Sequence, residues 1–263
     1  MKIILSRKGF DSSSGGCPSP ILPDGTLLSL PIPEDNKKNV NYCDLRYGKY
    51  TYKKILDGLI PNNDFKKCHL DPDIRKDVHK KPVCGWKPAF GQKEASLTYL
   101  RNAEVEIEDI FLFFGLFRKT EYFNASIRFT RGERPVQIIF GYLQIGEILE
   151  TAEEIAKYYW HPHATNNYDP CRNALYLPSK KLSICQSLPG YGILSYREDR
   201  VLTIPKGNTA TWKEHDFLMP QNIIGNRRNN AKGEGVYYQG QWQELVLRQN
   251  EETEKWAVNL IKP

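Results

Sequence analysis

Two apolar stretches in the middle of the chain dominate its pattern: DIFLFFGLFR, residues 109–118, and IIFGYLQIGEIL, residues 138–149. The apolar run over residues 110–117 has the length of a buried strand, and residues 136–148 predict a second, longer strand. Both segments are core by composition, and they are close enough in the chain to pair. They therefore predict two neighbouring strands of a sheet that bends or closes into a barrel.

Glycines and isolated polar residues interrupt these two strands. Gly115 and Gly141 each follow a Phe, where a second backbone or a ligand could approach closely. Gly141 and Gly146 together predict a bend or bulge in the longer strand. Among the polar side chains of the two strands, Arg118 and Gln144 are the ones best suited to line a pocket.

Helices are predicted over residues 52–59, over residues 93–101, and from Thr151 to the His161–Pro162 pair. Thr151 and Glu154 have the spacing of a capping box, in which each side chain bonds a free backbone N–H of the first turn. The residue before a proline is disfavoured in helical geometry, which predicts the end of this helix.

Helices and strands follow one another without βαβ regularity. This arrangement favours an α+β fold with a central bent antiparallel sheet or small β-barrel and peripheral helices. The length of 263 residues fits one domain, residues 1–263, with a polar, loop-rich insertion at about residues 36–90.

Charge and cysteine content limit which partners and which cellular compartment can be expected. The net charge of +6 is concentrated in residues 37–87, where 13 Lys and Arg stand against 6 Asp and Glu. Such a segment could bind a polyanion or could be a solvated lysine-rich face, and the sequence leaves both open. No apolar run has the length of a membrane span, and the six cysteines form no CxxC pair, so a cytoplasmic protein with no membrane association is expected.

The N-terminal strand leads into SRKGFDSSSGG, residues 6–16, a loop rich in Gly, Ser and positive charge. It lacks the Walker A and GxGxxG patterns, but its composition suits a phosphate or a sugar, with Asp11 as an acceptor or base. The alternative is a flexible surface loop. The candidate nucleotide-binding residues of this loop are Ser6, Arg7, Lys8, Ser12, Ser13, Gly15 and Gly16.

Two further motifs carry histidines and carboxylates. In HLDPDIR, His69, Asp71 and Asp73 alternate, so an extended segment would direct all three side chains to one side. They could bind a divalent metal or supply a base and its partner, although Asp-Pro-Asp is also a common turn. In WHPHA, His161 and His163 flank a proline and could ligate a metal, act as acid and base, or serve only as structural hydrogen-bonding groups.

The chain also contains the strings SLPIP, FGQ and NALYL, in order with the motifs above. Together these strings resemble the third type of nucleotide-modification-associated domain of bacteria and phages. The resemblance covers residues 1 to about 180, and more weakly the remainder through TWKEHDFLMP and GQWQELVL. It implies a role in nucleotide or DNA modification, often linked to phage conflict. The central strands also resemble PUA- and ASCH-type barrels.

The resemblance implies a set of functional positions. The family's polar motif residues correspond here to Ser6, Arg7, Lys8, Asp11, Ser12, His69, Asp71, Asp73, Gln92, Arg118, His161 and His163. One departure concerns the second central strand, where the family often has a His and this chain has Gln137-Ile138.

These observations favour an enzyme, a transferase or hydrolase that acts on a nucleotide or a nucleic-acid base. Its catalytic residues would be Asp11, His69, Asp71, Asp73, His161 and His163, and its nucleotide-binding residues would include Gln92 and Arg118. A divalent metal could take part, although the sequence identifies no cofactor. The alternatives are a non-catalytic binder of a modified base or signalling nucleotide, and a structural partner of a modification or defence complex. If the protein is such an enzyme, three groups should surround one cleft. These groups are Asp11, one of Asp71 and Asp73, and one of His161 and His163.

Overall fold

The computed structural model describes residues 1–124, 126–227, 230–231 and 235–263. The helices are α1 Tyr52–Leu59, α2 Glu94–Asn102, α3 Ala152–Ala156, α4 Pro162–Thr165 and α5 Glu251–Ile261. The strands are β1 Ile3–Arg7, β2 Ser19–Ile21, β3 Ile32–Pro33, β4 Val40–Asn41, β5 Arg46–Tyr47, β6 Tyr50–Thr51, β7 Lys67–His69, β8 Phe90–Lys93, β9 Ile110–Phe123, β10 Ser126–Phe129, β11 Val136–Leu149, β12 Asn173–Pro178, β13 Tyr191–Ile193, β14 Thr211–Trp212, β15 Asn230–Ala231, β16 Val236–Tyr237 and β17 Glu244–Leu247.

The main sheet is a curled half-barrel in which the strand order is β17-β1-β9-β11-β12-β8. The two long strands predicted from the apolar stretches, β9 and β11, pair antiparallel at its centre, and the α+β class is confirmed. The sheet is mixed rather than antiparallel throughout, because β1 and β2 both run parallel to β9. The long excursion of chain between β1 and β9 provides the crossover that a parallel pair requires.

Glycines shape the two central strands. The β9–β11 register shifts between Ile139 and Gly141, and the β11–β12 register shifts beside Gly146, which confirms the predicted bulges. A Cβ at Gly115 would lie 2.5 Å from the carbonyl oxygen of Lys8. The glycine in β9 therefore lets the loop after β1 lie directly on the sheet.

The segment predicted as a loop-rich insertion contains short paired strands and α1. Strand β7 lies between β3 and β4, and the α1 residues Tyr52, Ile55 and Leu56 are buried in a separate hydrophobic cluster. Phe10, from the loop after β1, is fully buried in the same cluster, edge-on to the ring of Phe65. This packing joins the N-terminal loop to the segment that carries His69 and Asp71.

The predicted helix that starts after Thr151 is shorter than expected. Its capping box between Thr151 and Glu154 is present, but α3 ends at Ala156 rather than at the His161–Pro162 pair. Pro162 instead begins α4, with His161 as its N-cap. Proline is favoured at the first helical position because its missing N–H is not needed there, so this proline starts a helix and does not end one. None of the described helices is long and apolar enough to cross a membrane.

Candidate active site

The loop after β1 is organised by one carboxylate. Asp11 Oδ1 accepts hydrogen bonds from Ser13 N, Ser13 Oγ and Ser14 N at 2.7–2.8 Å, while Oδ2 lies 3.2 Å from Arg7 Nη1. Gly15 has a φ of +89° and lies against the Phe10 ring, where a Cβ would come within 2.3 Å. The loop is therefore tightly built, and the contacts of Asp11 are those of a residue that fixes its shape.

The HLDPDIR motif divides between two sides of the structure. His69 and Asp71 face a cavity, whereas Asp73 Oδ2 accepts hydrogen bonds from His79 at 3.0 Å and from the Trp86 indole at 2.9 Å. The extended arrangement that would direct all three side chains to one side does not form, because β7 ends at His69 and strand alternation does not continue to Asp73. Asp73 instead joins Ala89 in a short β-bridge.

The two histidines of the WHPHA motif have different surroundings. His163 lies on the cavity wall, and its Nδ1 is 2.6 Å from Asn173 Oδ1. His161 is completely buried behind Asp71, with Nε2 3.4 Å from Asp71 Oδ1. That contact is too poorly aligned for a hydrogen bond. The other Asp71 contact is firm, since Gly91 N–H donates to Oδ1 at 2.7 Å.

One cavity of about 350 Å³ brings the three motifs together. The predicted residues that line it are Arg7, Lys8, Asp11, His69, Asp71, Gln92 and His163, joined by Gly9, Ser14, Glu34, Lys93 and the first turn of α2. The predicted cleft that brings Asp11, Asp71 and His163 together is thus present. The predicted residues that do not line it are Ser6, Ser12, Ser13, Gly15, Gly16, Asp73, Arg118 and His161.

Two predicted pocket residues lie elsewhere on the central strands. Arg118 donates to the carbonyl of Thr130 and lies over the Phe129 ring, away from the cavity. Gln144 is buried, and its amide donates to the Glu108 carbonyl. Both side chains donate hydrogen bonds to backbone carbonyls of the sheet or its loops. Composition alone does not reveal such a structural role.

Neighbouring groups and burial shift the pKa values of the titratable side chains at the cavity. Burial lowers the pKa of His163 to about 3, so its imidazole is neutral at pH 7. Burial opposes ionisation of Asp71, but His161, Lys8 and His163 together hold its pKa well below the ordinary value. The hydrogen bond from His69, against the effect of burial, lowers the pKa of Glu34 to about 2. The site therefore combines a buried carboxylate with a neutral imidazole.

Sequence reasoning missed two glutamates that support this wall. Glu34 Oε2 lies 3.1 Å from His69 Nδ1 and also accepts from the Asn39 and Asn166 amides. Its position in SLPIPED gives no sequence signal. Glu244 could have been found, because a charge that opens the apolar strand ELVL is unusual.

Glu244 is fully buried beneath the cavity. Its carboxylate accepts from Gln92 Nε2, lies 3.6 Å from Lys8 Nζ, and accepts from Arg227 Nη1 at 3.2 Å. The Lys8 ammonium also lies 4.4 Å from the centre of the Phe90 ring. Glu244 thus fixes the positions of both Lys8 and Gln92 at the cavity wall.

One group of side chains at the cavity could hold a metal ion. His69, Asp71 and His163 each offer one ligand atom, and these atoms lie within 4.8 Å of one another. Among the described residues, this is the one group of at least three His, Cys, Asp or Glu side chains whose ligand atoms lie that close together. The six cysteines are free thiols and take no part in it.

Fold and site together define an α+β protein with a partly enclosed cavity of mixed polar and apolar lining, which combines histidine and carboxylate side chains with cationic ones. The chain belongs to the family described as nucleotide modification associated domain 3, whose model matches residues 2–254. The family description associates the chain with nucleotide modification, and hence with a nucleotide or nucleic acid. Neither the curated proteins nor the solved structures contain a significant match to it.

Proposed function

We propose that this protein is an enzyme that modifies a nucleotide or a base of a nucleic acid, and that the 350 Å³ cavity is its active site. The observation that carries the proposal is the meeting of His69, Asp71 and His163 with Arg7 and Lys8 in one cavity. Pockets of this size and mixed lining are typical of small-molecule sites. The family description, nucleotide modification associated domain 3, supports a nucleotide or nucleic acid as the substrate class.

The reactive end of the cavity is the His69–Asp71–His163 wall. The Asp71 side chain is 4% exposed and His163 is 3% exposed, and no described residue hydrogen-bonds Asp71 Oδ2 or His163 Nε2. Unpartnered atoms that border a cavity are available to a substrate or to a bound ion.

Other residues of the cavity lining suit the anionic part of a nucleotide. Arg7, Lys8 and Lys93 line the cavity, as do Ala95 and Ser96 of the first turn of α2. No side chain of the N-cap residue satisfies the free amides of that turn, and its dipole favours a negative group. A phosphate bound by these groups would hold the nucleotide in the cavity that contains His69, Asp71 and His163.

The geometry narrows the catalytic set predicted from sequence. We assign catalysis to His69, Asp71 and His163. Asp11 and His161 receive positioning roles, since the Asp11 carboxylate is bonded to its own loop and to Arg7, and His161 lies behind Asp71. Asp73 has a structural role with His79. A place in phage defence or in a modification complex stays a prediction.

The test compares two neighbouring carboxylates. Wild-type protein, Asp71→Asn and Asp73→Asn are incubated with a panel of nucleotides and DNA and RNA oligonucleotides, and the mixtures are analysed by mass spectrometry. The proposal predicts a mass change in one substrate with wild type and with folded Asp73→Asn, and none with Asp71→Asn. If a nucleotide binds but is recovered unchanged from wild type, the protein is a binder and the enzymatic proposal is wrong.

A further inference from the structure

We propose that His69, Asp71 and His163 bind one divalent first-row transition-metal ion, as a two-histidine, one-carboxylate site that opens into the cavity. This inference deepens the proposed function, because it rests on the same wall and names the group that would act there. It concerns binding of the ion itself, which can be measured without any nucleotide.

The donor set matches the chemistry of such ions. Imidazole nitrogens suit Zn, Fe, Cu and Ni, a carboxylate oxygen adds charge, and three protein ligands with open positions are typical of catalytic metal sites. The ligand atoms lie within 4.8 Å of one another. Three ligands around a four-coordinate ion, each at about 2.1 Å from it, stand about 3.4 Å apart. The three side chains therefore lie near the spacing of a metal site and would move closer together as an ion binds.

Each histidine is held by a hydrogen bond at its other nitrogen. His163 Nδ1 faces the Asn173 side-chain oxygen at 2.6 Å, and His69 Nδ1 faces the Glu34 carboxylate at 3.1 Å. When Nδ1–H donates to such an acceptor, the lone pair lies on Nε2, the nitrogen that would face an ion. Metal-binding histidines almost always have a carboxylate or carbonyl partner of this kind.

Asp71 is oriented by the backbone and leaves one oxygen for the ion. Gly91 N–H and the His161 ring contact Oδ1, whereas no described residue hydrogen-bonds Oδ2. The side chain is 96% buried, and a buried carboxylate requires a cation or several donors nearby. The Lys8 ammonium, which lines the same cavity, already lies 3.6 Å from Glu244. A bound cation would complete the surroundings of Asp71.

A second histidine–aspartate pair provides a matched contrast. His79 Nε2 and Asp73 Oδ2 are 3.0 Å apart, and both side chains are buried to a similar degree. That pair lies outside the cavity and bonds directly, with the Trp86 indole as a further donor. It contains the same residue types but leaves no room for an ion between them.

The experiment is titration of EDTA-treated protein with Zn²⁺, Mn²⁺ and Co²⁺ separately, by calorimetry, with elemental analysis after dialysis. We expect one ion per chain for at least one metal, with affinity reduced at least 100-fold in Asp71→Asn and His163→Gln. Asp73→Asn and His79→Gln, checked for folding by circular dichroism, should bind as wild type does.

The Co²⁺ absorption spectrum of wild type adds a readout that needs no variant. Bound Co²⁺ should give visible d–d bands that Zn²⁺ displaces. Failure of wild type to bind any of the three ions stoichiometrically would overturn the metal site, as would equal binding by Asp71→Asn. Stoichiometric metal binding without nucleotide turnover would support the metal site and contradict the proposed function. Nucleotide turnover by a protein that binds none of the three ions would contradict the metal site and support the proposed function.

Discussion

Gly91 lies directly against the imidazole of His163: a Cβ at position 91 would come within 2.2 Å of His163 Cδ2 and 2.6 Å of Nε2. The amide of the same glycine donates to Asp71 Oδ1. One residue of β8 therefore positions two members of the reactive wall.

Gly91→Ala should displace the His163 ring, because that ring is fixed on its other side by Asn173 and cannot rotate freely. We expect a stability loss of about 1–3 kcal/mol from overpacking, together with weakened metal binding. The control is Gly240→Ala, where the nearest atom to a new Cβ is 3.9 Å away. Thermal denaturation and metal calorimetry measure both effects, and an unchanged affinity in Gly91→Ala would contradict the described packing.

Asn173 orients His163 from the opposite side. Its side-chain oxygen faces Nδ1, and its amide donates to the His163 carbonyl at 2.9 Å. Asn173→Ala should lower metal affinity about 10- to 100-fold by freeing the ring, whereas Asn173→Asp keeps the acceptor and should lose less. Calorimetric titrations of both variants give the comparison, and equal losses would argue against orientation through Nδ1.

Two substitutions of Asp11 distinguish a role in organising the loop from a role as a catalytic base. Asp11→Asn keeps the Oδ1 acceptor for the Ser13 and Ser14 amides, whereas Asp11→Ala removes it. We expect near-wild-type nucleotide binding and turnover for Asp11→Asn and a clear loss of binding for Asp11→Ala. Binding assays with steady-state kinetics decide the matter: a large fall in kcat for Asp11→Asn would show that the carboxylate charge itself is needed.

Glu244 is a fully buried carboxylate next to the site. Glu244→Ala would leave Lys8 and Arg227 without their shared carboxylate, and we expect a stability loss of about 3–5 kcal/mol. The exposed pair Glu121–Arg128 offers the contrast, and Glu121→Ala should cost less than about 1 kcal/mol. Chemical denaturation measures both, and similar losses would show that burial contributes little here.

Cysteine reactivity tests the described burial across the chain. Burial raises the pKa of Cys17 to about 11 and raises that of Cys68 well above its usual range, whereas a hydrogen bond from Ser187 lowers the pKa of Cys185. Thiolate is the reactive form, so at pH 8 only about one Cys17 in a thousand would be ionised. Iodoacetamide labelling followed by peptide mass spectrometry should modify Cys185 and exposed Cys43 long before the other two. Equal rates in denaturant provide the control, and rapid Cys68 labelling in the folded protein would contradict its burial.

Much of the local structure was predictable because it depends on short-range chemistry. The apolar runs of β9 and β11, the Thr151 capping box and the bulges at Gly141 and Gly146 all follow from residues within a few positions of one another. The helix end at His161 was predicted wrongly, since Pro162 suits both the end of one helix and the start of another.

The sequence alone also identified the three motifs that meet at the cavity, since clusters of His, Asp, Ser and basic residues stand out by composition. Only the tertiary structure decided which members face that cavity. Asp71 and Asp73 are equivalent in sequence, and the end of β7 turns one toward His163 and the other toward His79. Glu34 and Glu244 reach His69 and Gln92 across 35 and 152 positions of chain. Such contacts are set by the packing of the sheet against the N-terminal loop, and no local pattern encodes them.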